Sequence, residues 1–203
     1  SMNIDLESAD LATSTAYSLT DSAQFSSSTS YEGVNVNTSS LSLLPQEWSW
    51  DFESGTFGPE WTFSGISNWN IQTNNAISGR QTPQAGPITS NQETGITLDV
   101  STIPAGDGTF DYQVSSESGF DYLIFCIDNP GCSRSSGFNN RWAGITSGTH
   151  TFTIPATAQT LTWKYTKDGS VNSGQDTAWI DDIVITPTGL SLIHISEPTR
   201  PSR

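Results

Sequence analysis

Residues 159–166 read QTLTWKYT and residues 177–186 read TAWIDDIVIT. In the first stretch Leu161, Trp163 and Tyr165 alternate with Thr160, Thr162 and Lys164, so an extended chain has one apolar and one polar face. The same period of two runs through GTFDYQVSS (108–116), where Phe110, Tyr112 and Val114 oppose Asp111, Gln113 and Ser115. Successive side chains of a strand point to opposite faces, and alternation of this length marks half-buried strands. Working outward, the runs WSWDFE (48–53), NWNIQT (68–73), GITLDVSTI (95–103), DYLIFCID (121–128) and THTFTIP (149–155) complete the set, separated by turn residues. No stretch has helical spacing. These strands predict an all-β fold, a two-sheet antiparallel β-sandwich of jelly-roll type over residues 47–187.

The hydrophobic fraction is only 33%, but seven Trp, nine Phe and five Tyr supply the bulk that a core needs. Seven basic against 21 acidic residues give a net charge of -14, and the first cationic side chain is Arg80. Nucleic acid binding needs Lys and Arg to neutralise phosphate, so that class is excluded, and an anionic membrane surface is disfavoured. An acidic, Lys-poor surface suits an extracellular or periplasmic protein and can hold divalent cations. Membrane insertion is not expected, since no apolar run has spanning length.

Residues 1–46 are rich in Ser and Thr and read as a weakly ordered linker or the end of a preceding module. The Asn37-Thr38-Ser39 triplet matches a glycosylation pattern too common to assign. Residues 188–203 form a tail in which LSLIHISEPTR (190–200) resembles a translated sequencing adapter. With the Ser1 start, this tail reads as a mark of an internal piece joined to further domains in a parent chain. Cys126 and Cys132 flank Asn129-Pro130-Gly131, and the expected pairing is a disulfide closing a strand-end loop in an oxidising, secreted or cell-surface setting.

The order of several short motifs is specific. DFESG (51–55) precedes Trp61, SNWNI (67–71) and SSESGFDYLIFCID (115–128) follow, and TLTWKYTKDGSVNSGQDTAWIDDIVI (160–185) closes the module. Together they resemble the MAM-like jelly-roll modules of secreted bacterial proteins and, more loosely, jelly-roll carbohydrate-binding modules. The likeness spans Trp48 to Pro187 and implies a concanavalin-like or galactose-binding-like sandwich. Animal MAM domains carry extra cysteines that are missing here, so receptor-type adhesion is not implied.

The resemblance also implies calcium, held by the Glu of the opening motif and an Asp of the closing one. The matching positions are Glu53, beside Asp51, and Asp181 or Asp182. Strict alternation puts Asp181 with Trp179, Ile183 and Ile185, and Asp182 with Ile180 and Val184, so one carboxylate faces an apolar layer and needs a cation or hydrogen bonds. The alternative is that this Asp caps backbone amides or pairs with Lys164 or Lys167. Glu117, Asp121, Asp128, Asp168 and Asp176 form a second acidic group, read as solvated turns for Asp128 and Asp168, with Glu117 and Asp121 pairing with Arg141 or Lys167.

Sugars stack on exposed aromatic rings, and Trp142, Trp69 and Phe138 lie in or beside loops, with Arg141 adjacent; Trp50, Trp163 and Trp179 are expected in the core. His150 is expected at a surface position, and neither a nucleophile elbow nor an HExxH pattern is present. The expected function is a non-catalytic, calcium-stabilised adhesion or glycan-binding module whose partner is a glycan or a cell-surface protein. The alternatives are a purely structural spacer of a large adhesin, and a catalytic glycoside hydrolase or polysaccharide lyase.

Overall fold

A computed structural model describes residues 47–188; the linker and adapter expectations lie outside them. Eleven strands appear in the order β1 (Trp48–Trp50), β2 (Trp61–Gly65), β3 (Asn70–Gln72), β4 (Thr82–Gln84), β5 (Glu93–Asp99), β6 (Gly106–Ser115), β7 (Tyr122–Ile127), β8 (Asn140–Trp142), β9 (Ile145–Ile154), β10 (Thr160–Thr166) and β11 (Thr177–Pro187). One sheet runs β3-β4-β11-β6-β9, with β1 also paired to β11; the other runs β2-β5-β10-β7-β8. All pairings are antiparallel. From β4 to β7 and again from β8 to β11 the chain crosses between sheets at each step, and the result is the expected two-sheet sandwich.

The alternating apolar positions meet between the layers. Phe110 and Val114 from one sheet pack with Phe125, Leu161, Trp163 and Tyr165 from the other, all fully buried. Phe110 contacts Phe125 at 4.9 Å and Trp163 at 5.3 Å between ring centroids. Large rings fill the interlayer space that scarce aliphatics leave, and mixed tilted and edge contacts are the favoured aromatic geometry. A second aromatic group, Phe52, Phe57, Trp61 and Phe63, closes one margin of the sandwich.

β11 departs from simple alternation. Its register against β6 shifts between Asp181 and Val184, and Asp182 takes a φ of 44°. This is a β-bulge, an extra residue that turns the strand's phase. Ile180 lies opposite Tyr112 and Ile185 opposite Gly108, so both face the core although five positions apart. The expectation that Asp181 shares a face with Ile183 and Ile185 is therefore corrected. Those two isoleucines join the core with Ala178 and Ile180, while Trp179 and Asp181 occupy the outer face.

Candidate functional site

Asp181 is 0% exposed, in the middle of β11. Its Oδ2 accepts from the Ser78 amide at 3.2 Å and from the Thr82 hydroxyl, and its Oδ1 from the Asp182 amide at 2.9 Å. Burial pushes its pKa up to about 6, against the pull of those donors. Glu53 reaches the same turn from the other side: its Oε1 accepts from the amides of Arg80 at 2.7 Å and Gln81 at 3.0 Å. Gly79, at φ 54°, lets the turn approach, since a Cβ there would lie 2.2 Å from that oxygen. Asp51 is exposed and accepts from the Glu53 amide at 3.1 Å. Of the fates foreseen for the buried Asp, a cation, amide capping or a lysine pair, amide capping is the one seen; Lys164 pairs instead with Glu93 at 3.0 Å and Lys167 with Asp176.

Carboxylate oxygens are the ligands calcium takes, but no three of the expected set Asp51, Glu53, Asp181 and Asp182 bring an oxygen each within 4.8 Å of one another. Glu53 and Asp181 converge on the single turn Ser78–Thr82, which carries the chain into β4. Both oxygens of Asp181 have a donor.

The aromatic candidates divide. Trp69 is 2% exposed and packs in the core, which corrects its expected place at a ligand surface. The strand NWNIQT begins later than its apolar residues suggest, at Asn70, and Trp69 anchors the chain entering it. Trp142 is half-buried on β8, stacked on Tyr112 at 4.3 Å. His150 is also corrected: it sits opposite Phe110 on the inward face of β9, with Trp142 at 5.0 Å and Phe125 at 5.6 Å. Burial among rings lowers its pKa, so its imidazole is held neutral and serves as packing.

Phe138 and Arg141 remain together on the outer face of the five-stranded sheet. The Arg141 guanidinium lies 4.4 Å from the Tyr122 ring centroid and 4.7 Å from that of Phe138, and it donates to the Arg134 carbonyl. Tyr122 belongs to this group and was not foreseen; its sequence signal was its phase, one position out of step with the buried Leu123. The Cys126–Cys132 disulfide, with 6.6 Å between Cα atoms, fastens the following loop over the sheet. Cys132 and Ile124 are buried beneath it, and Lys164 donates to the Cys132 carbonyl at 3.1 Å. A disulfide closing so short a loop adds less than the roughly 3 kcal/mol of a 15-residue one.

The outer face of the six-stranded sheet is different. Asp107, Thr109, Thr151, Thr153, Val184 and Thr186 line a shallow groove there. Its carboxylates are tied to neighbours, Thr153 donating to Asp107 at 2.8 Å and Thr149 to Asp111 at 2.5 Å.

No protein-family model matches the chain, and no curated protein matches it. Among solved structures it is similar to the K2 cleaved adhesin domain of Lys-gingipain, with 17% identity, a TM-score of 0.51, and 70% of this chain and 99% of that chain covered. It is also similar to the K1 cleaved adhesin domain of Lys-gingipain from Porphyromonas gingivalis W83, with 15% identity, a TM-score of 0.48, and coverage of 71% and 99%. A third similar structure is the CBM22-1 xylan-binding domain of Paenibacillus barcinonensis Xyn10C, with 14% identity, a TM-score of 0.49, and coverage of 71% and 97%. At these identities the likeness is one of fold: this chain is a β-sandwich of the architecture seen in the K2 adhesin domain.

Proposed function

We propose that this is a non-catalytic extracellular module for adhesion or glycan binding within a larger protein, stabilised by calcium at Glu53 and Asp181. The observation that carries the binding half is the Arg141 guanidinium held over the Tyr122 and Phe138 rings. A planar cation fixed by two aromatic faces offers apolar surface for a sugar ring and N–H donors for its hydroxyl or carboxylate oxygens. The loop that presents Phe138 is fastened by the disulfide, which lowers the ordering cost of binding. The shared fold with an adhesin domain is consistent with this reading and does not by itself transfer a function.

The experiment is a glycan array at millimolar calcium with the wild-type chain and Arg141→Ala. Glycans retained by the wild type and lost by the variant support the reading. Silence across the array, or equal retention by both, sinks it. The threonine and aspartate face of the six-stranded sheet favours the second reading, a spacer, and silence on the array is its expected result. For calcium, the melting temperature of the wild type falls in chelator, whereas that of Glu53→Gln responds less; an unchanged wild-type melting temperature removes the metal from this end of the fold.

A further inference from the structure

We propose that the loop end of the sandwich holds a second hard divalent cation, calcium by its chemistry, on Glu117, Asp121 and Asp168. These residues come from two separate segments, the turn leaving β6 and the residues just after β10. One carboxylate oxygen from each lies within 4.8 Å of the others. Two oxygens that share one calcium at about 2.4 Å are separated by no more than about 4.8 Å, so the span suits a common ion.

Proximity alone leaves room for a solvated acidic patch, and burial argues against that. Asp121 is 0% exposed. Its Oδ1 accepts from the Asp168 amide at 2.8 Å, but its Oδ2 is buried with no hydrogen-bond partner, and so is Oε2 of Glu117. The nearest positive charge, Lys167 Nζ, stands 3.6 Å from that bare Asp121 oxygen. The ammonium is engaged elsewhere, by the Asp176 carboxylate and by Asn172 Oδ1 at 2.8 Å. Tyr165 adds a second donor to Asp176, at 3.1 Å. Asp176 is thus well served, while Asp121 and Glu117 keep buried, charge-bearing oxygens without a donor. Glu117, Asp121, Asp168 and Asp176 face one ammonium.

An ionised oxygen buried without a partner is costly, and the deficit is relieved by a proton or by a cation. Three carboxylates crowd this end of the fold, two of them with a buried oxygen that no donor reaches. The same crowding that favours a proton favours a divalent ion, and at neutral pH the ion satisfies several oxygens where a proton satisfies one. Calcium accepts carboxylates from distant segments and completes its shell with water, whereas magnesium keeps more of its own water and demands stricter geometry. The ion would also fasten loops that carry exposed apolar side chains, Phe120 (52% exposed) between two of the ligands and Val171 (58%) three residues past the third.

This site is independent of Glu53 and Asp181, and the test separates the two. Calcium is titrated into the chelator-stripped full chain by calorimetry, and bound calcium is counted after equilibrium dialysis at pH 7. Glu117→Gln and Asp168→Asn each weaken one binding event at least tenfold, while Glu53→Gln leaves that event unchanged. In chelator, both loop variants melt no lower than the wild type, because each removes a repelling charge, so lost calcium is not lost folding. Identical isotherms for the wild type and both loop variants, or no calcium taken up by the wild type at millimolar concentration, overturn the proposal. Calcium lost only in Glu53→Gln overturns it too, while supporting the site on the closing strand.

Discussion

Asp181 and Asp121 are equally buried, each 0% exposed, yet they are opposite cases. Asp181 lies in a strand, and a turn from elsewhere in the chain brings it an amide and a hydroxyl, with the next amide of its own strand on the other oxygen. Asp121 lies in the turn just before a strand; one oxygen has an amide, and the other has no hydrogen-bond donor, only the Lys167 ammonium as an ion-pair partner at 3.6 Å. Burial therefore does not mark a functional carboxylate. What distinguishes the two is how many donors the fold supplies, and that depends on backbone geometry far away in sequence.

The comparison breaks most severely if Lys167 is neutralised. Lys167→Met leaves Asp121 and Asp176 without their buried counter-charge, and we expect a loss of about 3–5 kcal/mol in urea unfolding. If the loss is under 1 kcal/mol, the loop end is more solvated than its burial implies. Next, Asp181→Ala strips the acceptor from the Ser78 amide and the Thr82 hydroxyl, and is expected to cost about 2–3 kcal/mol at pH 7. The same variant checks the sign of the pH effect. With a folded pKa of about 6 against an ordinary 3.8, folded Asp181 binds its proton more tightly than the unfolded chain does. In chelator its contribution to stability therefore grows as pH falls through 6 and levels off below 4, so the gap between wild type and Asp181→Ala widens on acidification. A gap that narrows shows that the donors outweigh burial. The smallest effect is expected from Thr82→Val, which removes one donor and keeps the shape: about 1.5 kcal/mol by thermal melting.

Much of the layer architecture was legible in the sequence. Strands long enough to show the period of two, such as β6 and β10, were read with their correct inward faces. The missed strands were β2, β4 and β8. Two of these have only three residues, too few to show a period, and β2 is an edge strand exposed beyond Trp61. They exist because neighbouring strands offer them a ladder, which is tertiary information. The bulge at Asp182 was illegible for a related reason: alternation is a local rule, and one extra residue inverts it for everything that follows. The site fared less evenly. Arg141 and Phe138 fell together as neighbours of one loop, and the disulfide was clear from spacing. Trp69 and His150 depart from expectation because loop proximity and a Thr-rich context do not determine which way a side chain points: both turn inward. Glu117 and Asp121 stand out in the sequence as acidic residues, but nothing local reveals that one oxygen of each lacks a donor.

The bulge has a further consequence. It divides β11 into two halves, and the same edge of that strand is bordered by β4 at Trp179 and by β1 at Ile183–Ile185. The second half is thus zipped by three residues, Trp48–Trp50, at the start of the module. Without them the backbone groups of Ile183–Ile185 on that edge would have no ladder partner, so the end of the closing strand depends on a tripeptide from the opposite end of the described chain. The bulge thus hands one edge of a single strand to two different partners, one for each half.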